Sequence, residues 1–155
     1  MTTVRAARRV VLPPHEAEAL WLDLSRWATF IEGFAHVEAK DDSWPDEGSR
    51  LVWNSLPDGR GRVTERVTAR GGGHVTTRLL EESLTGVQSV TFQPDEEGGT
   101  IVDLRLEYDL NPTTMWRQGV LGKIVNLLFI RRAMTDSLAR TLRRFATEAA
   151  EQQAL

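Results

Sequence analysis

The chain contains no cysteine, which excludes disulfides, thiolate catalysis and cysteine-ligated metals and fits a reducing compartment. It also lacks a membrane span. The most apolar run, GVLGKIVNLLFIRRAM at 119–134, meets Arg131 and Arg132 after twelve residues that already include Lys123 and Asn126, short of the about 20 apolar residues a spanning helix needs. The opening MTTVRAARRV has neither the apolar core nor the small-residue cleavage site of a secretory leader, so a cytoplasmic protein is expected. No strong excess of one charge is present. The net charge is −3, with 12 basic and 19 acidic side chains in residues 1–112 against 7 and 3 in 113–155, which argues against nucleic acid as a partner. Arg131, Arg132, Arg140, Arg143 and Arg144 make the last segment basic. A solvated polar face beside an acidic body accounts for them, and contact with an acidic partner or lipid head groups is the alternative.

Several chemistries lack their residues. His15, His36 and His74 fall in three different elements with no pair at ligand spacing, so no metal is expected. No Gly-x-Ser-x-Gly turn positions a nucleophile. The Arg70-Gly-Gly-Gly-His74 run and the Gly59/Gly61 pair suit hairpin turns rather than a phosphate loop opening a helix, so no nucleotide cofactor is expected.

What is present is alternation. At 155 residues the chain is expected to form one domain, 1–155, with a sizeable core. VRAARRVVL (4–12) reads as a strand, and Pro13 and Pro14 open a helix over HEAEALWLDL, proline being suited to a first helical turn. Ser25 is the expected cap of a second short helix, RWATFI, and Gly33 its stop. Strands follow at 34–40, 49–56, 61–70, 74–82, 87–93 and 100–110, separated by DSWPDEG, PDG, GGG, SLTG and PDEEGG, all turn chemistry. The period then changes from two to 3.6. Ile124, Leu127 or Leu128, Met134, Leu138, Leu142, Phe145 and Ala149 share one side of a helix from about Thr114 to Ala150, roughly 50 Å long. The expected fold is α+β, with a seven-stranded curved antiparallel sheet around a long C-terminal helix and two short helices after the first strand.

Strand parity selects the concave side. Val102, Leu104, Leu106, Tyr108 and Leu110 share a face opposite Asp103, Arg105, Glu107 and Asp109, so the first set faces inward. By the same rule Glu65 lies with Val63, Val67 and Ala69, Gln88 with Val90 and Phe92, and Thr77 with Val75 and Leu79. Leu51, Trp53 and Ser55 compete with Val52, Asn54 and Leu56 for the inner face of their strand. A carboxylate on an apolar face is costly unless paired or protonated, which makes Glu65 the candidate catalytic acid or base. A pairing with an arginine such as Arg78, or a place at an open rim, is the plainer alternative. Tyr108 and Gln88 are candidates to orient a ligand oxygen, against ordinary roles as a core tyrosine and an edge glutamine. The five tryptophans could stack on a planar ligand, although Trp21 and Trp27 also suit packing of the short helices onto the sheet.

The element order and three phrases resemble the START-like (SRPBCC, helix-grip) superfamily, and more narrowly its polyketide cyclase/dehydrase branch. The phrases are LDLSRWATFIEGFAHVE (22–38), WPDEGSRLVW (44–53) and GGTIVDLRLEYDL (98–110). The resemblance implies an internal cavity between sheet and last helix for a hydrophobic small molecule, polyketide-like or lipid-like, and allows cyclisation or dehydration of a polyketide. On that footing Glu65 is the expected catalytic residue. Tyr108, Gln88, Thr77, Trp53, Phe92, Leu104, Leu106, Ile124 and Leu128 are the expected ligand contacts. Apolar residues outside the helical stripe, such as Val125 and Phe129, exceed what one sheet contact requires. A gate at the cavity mouth, formed by Trp116 with Gly119 and Gly122, is one use for them. A homodimer seam or a well-covered core helix is another, and an interaction module placing the basic helix on a membrane or protein is the third functional alternative.

Overall fold

The computed structural model describes residues 1–111 and 120–155, with side chains described again from Leu127 onward. Strand β1 (Thr2–Val10) is followed by helix α1 (Pro14–Leu22), a 3-10 turn at Leu24–Arg26 and helix α2 (Trp27–Phe30). Six strands follow: β2 (Phe34–Lys40), β3 (Arg50–Ser55), β4 (Arg62–Arg70), β5 (His74–Leu80), β6 (Leu84–Pro94) and β7 (Thr100–Leu110). Helix α3 (Val120–Ala154) closes the order. The strands form one curved antiparallel sheet in the order β1-β7-β6-β5-β4-β3-β2, so β1 returns to lie beside the last strand.

Local chemistry accounts for the boundaries. Pro14 opens α1, where its missing N–H removes a donor that would be orphaned anyway. The cap of the next turn is Asp23, not Ser25: the Asp23 carboxylate accepts from the Ser25 backbone N–H. The Ser25 hydroxyl also donates to that carboxylate, so it caps nothing itself, and α2 begins after Arg26 without a side-chain cap. Residues 71–73 turn β4 into β5 with φ of 146°, 61° and 75°, conformations glycine adopts without a steric penalty. Register shifts in β2 and β4 interrupt the ladder and bend the sheet.

The concave face is the one parity selects. Val102, Leu104, Leu106 and Tyr108 are buried, as are Val63, Glu65 and Val67, and Val75, Thr77 and Leu79. Helix α3 covers that face mainly through Leu138, Leu142, Phe145 and Ala149. Phe145 meets Trp21 edge-on at 5.3 Å and Phe30 at 5.0 Å, pinning the second half of α3 to α1 and α2. At Leu127 and Leu128 the expected apolar stripe is exposed. Leu127 is 37% exposed, Leu128 64% and Phe129 71%, whereas Ile130 and Met134 pack against the core. Trp116 and Gly119 of the expected gate, and the side chains of Ile124 and Val125, lie outside the described residues.

Candidate functional site

Glu65 sits at the centre of the concave face, on β4 between Trp53 of β3 and Thr77 of β5. It is 4% exposed. The Trp53 indole N–H donates to Glu65 Oε2 at 2.6 Å, and the Thr77 hydroxyl makes a longer contact with Oε1 at 3.4 Å. Burial pushes the Glu65 carboxyl above the ordinary carboxylate range; the positive charge of Arg60 and the bonds from Trp53 and Thr77 only partly oppose it, and the charge of Glu81 adds to it. Glu65 is not at an open rim, and the arginine near it is not Arg78. Arg78 lies across from Arg66 in the ladder and is exposed, since its parity sends it to the convex side. The nearby cation is Arg60, from the turn between β3 and β4.

Arg60 lies over the Trp53 ring, 5.1 Å from its centre, and its Nε donates to Glu81 Oε1 at 2.6 Å. Glu81 is itself buried at the end of β5. Four tryptophans converge on the same place. Trp27 meets Trp44 and Trp53 edge-on at 6.2 and 6.3 Å, and its own indole N–H is held by the Trp21 carbonyl at 2.8 Å. The space between them, lined by Trp21, Trp27, Trp44, Trp53, Arg60, Glu65, Thr77 and Gln88 together with apolar side chains, is about 30 Å³, room for one or two waters. The tryptophans thus do pack the short helices onto the sheet, and in doing so they wall the Glu65 hollow.

A second, larger space opens beside it. Leu84, Gln88, Leu106 and Leu110 of the sheet, Asp58, Arg60, Glu81 and Ser83 of the turns, and Ile130, Met134, Ser137 and Leu138 of α3 line a groove of about 560 Å³. That volume is within the range of small-molecule sites, and its walls are mainly apolar. The cavity expected between sheet and last helix is therefore split into a water-sized inner hollow holding Glu65 and an open outer groove.

The expected ligand contacts divide accordingly. Trp53, Thr77 and Gln88 line the hollow, and Gln88 and Leu106 line the groove. Phe92, Leu104 and Tyr108 belong to the close-packed core. Burial holds the Tyr108 phenol above its ordinary range, against the charge of Arg131 and an interaction with Thr2, which lies opposite it in the β1–β7 ladder. Leu128 points to solvent, and the Ile124 side chain lies outside the described residues. Parity did not single out Arg60, Glu81 or Trp44. Trp44 and Arg60 stand in turns, where alternation carries no signal; Glu81 shares the parity of Val75, Thr77 and Leu79 at the end of the expected strand 74–82 and was passed over there. Of the basic helix residues, Arg140 is paired with Glu32 at 2.5 Å, while Arg131, Arg132, Arg143 and Arg144 are exposed.

Among the described residues no group of three His, Asp or Glu side chains could hold a metal ion, and no helix is long and apolar enough to cross a membrane. Three solved structures carry the same fold across nearly the whole chain. The di-domain ARO/CYC StfQ of the steffimycin biosynthetic pathway matches with a TM-score of 0.76 at 16% identity, over 99% of this chain and 52% of that one. A protein of unknown function from Staphylococcus aureus matches at 0.77 and 13%, over 99% and 96%. A START superfamily protein from Mycobacterium smegmatis matches at 0.67 and 12%, over 97% and 98%. At these identities the likeness is one of fold. No curated protein matches the chain. Residues 1–150 match the family described as polyketide cyclase / dehydrase and lipid transport, and the chain belongs to that family.

Proposed function

We propose that this protein, acting as a single domain, binds a hydrophobic small molecule, polyketide-like or lipid-like, in the groove between the sheet and α3. The carrying observation is the groove itself: about 560 Å³, walled by Leu84, Leu106, Leu110, Ile130, Met134 and Leu138 and open to solvent. Its apolar walls favour transfer of an apolar guest from water at roughly 25 cal/mol for each Å² removed. Saturable fluorescence enhancement of 1-anilinonaphthalene-8-sulfonate, lost in Met134→Arg while the urea midpoint is kept, supports the groove. Enhancement that Met134→Arg leaves intact overturns it. Native mass spectrometry of protein purified from its own host then identifies the natural guest.

A second reading, polyketide cyclisation or dehydration, is favoured by one observation. Glu65 combines burial, a pKa raised above the ordinary carboxylate range and a 2.6 Å bond from Trp53, the properties of a carboxyl placed to deliver or take a proton. Enolisable chains need little more than orientation and one such group. Turnover separates the readings: a carrier returns its ligand unchanged, whereas an enzyme loses turnover in Glu65→Gln and keeps affinity.

A further inference from the structure

The Glu65 hollow and the outer groove are neighbours, and the partition between them is thin. Among the described residues, Arg60 and Gln88 line both spaces. Gln88 is fixed in mid-sheet, laddered to Thr77 on one side and Leu106 on the other. Arg60 is held differently. It belongs to the β3–β4 turn, whose own bonds, Gly59 N–H to the Leu56 carbonyl at 2.9 Å and Gly61 N–H to Ser55 Oγ at 2.8 Å, tie it to the end of β3. Its guanidinium reaches across to Glu81, at the start of the β5–β6 turn. One cation therefore joins two hairpin turns and lies across the Trp53 indole whose N–H bonds Glu65.

We propose that the Arg60–Glu81 pair is a clasp that controls passage from the groove to Glu65. Closed, Arg60 covers Trp53 and the hollow holds only water. Open, the β3–β4 turn swings off the indole, hollow and groove merge, and the leading end of a bound molecule reaches the carboxyl. The inference rests on the reading of the groove as a binding chamber. The asymmetry of the pair supports motion on one side: the Glu81 side chain is 2% exposed and the Arg60 side chain 35%, so the carboxylate is the fixed post and the guanidinium the moving arm. A guanidinium also retains unused N–H donors when bound to one carboxylate, so it can leave Trp53 without losing every partner.

Solvent exchange of the Trp53 indole N–H tests the clasp without any ligand, because that proton lies inside the hollow. In the native protein it is expected to exchange slowly. In Arg60→Gln and Glu81→Gln the rate is expected to rise at least tenfold, while the backbone amide of Leu104, in mid-sheet, keeps its native rate. On the unmodified protein, 1 M NaCl is expected to speed the same proton several-fold, since salt screens a partly exposed ion pair; this holds even where a variant folds poorly. An unchanged Trp53 rate in both variants and in salt overturns the proposal. So does a rise that Leu104 shares, which marks the pair as a staple of the whole fold. Failure of 1-anilinonaphthalene-8-sulfonate to bind the groove, with the exchange response intact, instead removes the chamber reading on which the clasp's purpose rests.

Discussion

Replacing Glu65 with glutamine isolates the charge of the buried carboxyl from its bonds. The glutamine carbonyl can accept from the Trp53 indole N–H, and its amide can donate to the Thr77 hydroxyl, so the contacts at 2.6 and 3.4 Å are both reproducible. What disappears is ionisation. Glu65 titrates near 4.5 when exposed, and burial raises it in the fold. Below the unfolded value the side chain is protonated in both states, and its contribution to stability is fully present. As pH rises through the folded value the chain must hold a charge at 4% exposure, and that contribution is lost. At about pH 4 the two proteins should differ by about 1 kcal/mol or less, the net worth of a hydrogen bond. Above it Glu65→Gln should gain on the native chain by about 1.4 kcal/mol for every tenfold by which burial weakens the acid, and then level off. Urea unfolding from about pH 4 to pH 9 reads this directly. Stability curves that stay parallel over the whole range would refute a carboxyl kept neutral by burial.

Three further outcomes follow from the geometry. Phe145→Ala removes a fully buried ring and its contacts with Trp21 and Phe30 and should cost about 3–5 kcal/mol, a fall of about 2 M in the urea midpoint; a loss under about 1 kcal/mol would show that α3 is not anchored there. Gly99→Ala places a Cβ 2.3 Å from the Val10 carbonyl oxygen at a φ of +78° and should lower stability by about 1–3 kcal/mol or more, and by more than Gly98→Ala, which shares the positive φ (+93°) but whose Cβ meets nothing within 4 Å; equal thermal unfolding of the two variants would show that the clash is relieved. Arg26→Gln leaves the buried Glu148 carboxylate without its ion-pair partner. Because Arg26 is itself 45% exposed, the expected cost is about 1–2 kcal/mol, and the double change with Glu148→Gln should restore most of it.

Much of the fold was legible because its signals are local. Strands β2 and β7 occupy the predicted spans, and β3, β4, β5 and β6 depart by a few residues at their ends. Period-two alternation and glycine-rich turns act over four to ten residues, within reach of a pattern. Alternation also placed Glu65, Thr77 and Gln88 inward, and all three line the hollow. It could not choose in β3, where Leu51, Val52 and Trp53 are all buried; the bond to Glu65 and the contact with Trp27 identify Trp53 as concave. It also overextended the helical stripe: Leu127 and Leu128, either of which continues the spacing, are both exposed.

The sequence by itself determined the strand and helix order, the inward face of each clearly alternating strand and the presence of one carboxylate among apolar neighbours. Each of these depends on side chains within a turn or two of one another. Tertiary structure alone decided that four tryptophans would shrink the hollow to water size, that the usable room would lie beneath α3, and that Arg60 would meet Glu81 across two hairpin turns. Those outcomes depend on how far a curved sheet closes and which turns it brings together, and such distances between remote segments leave no periodic trace in the chain.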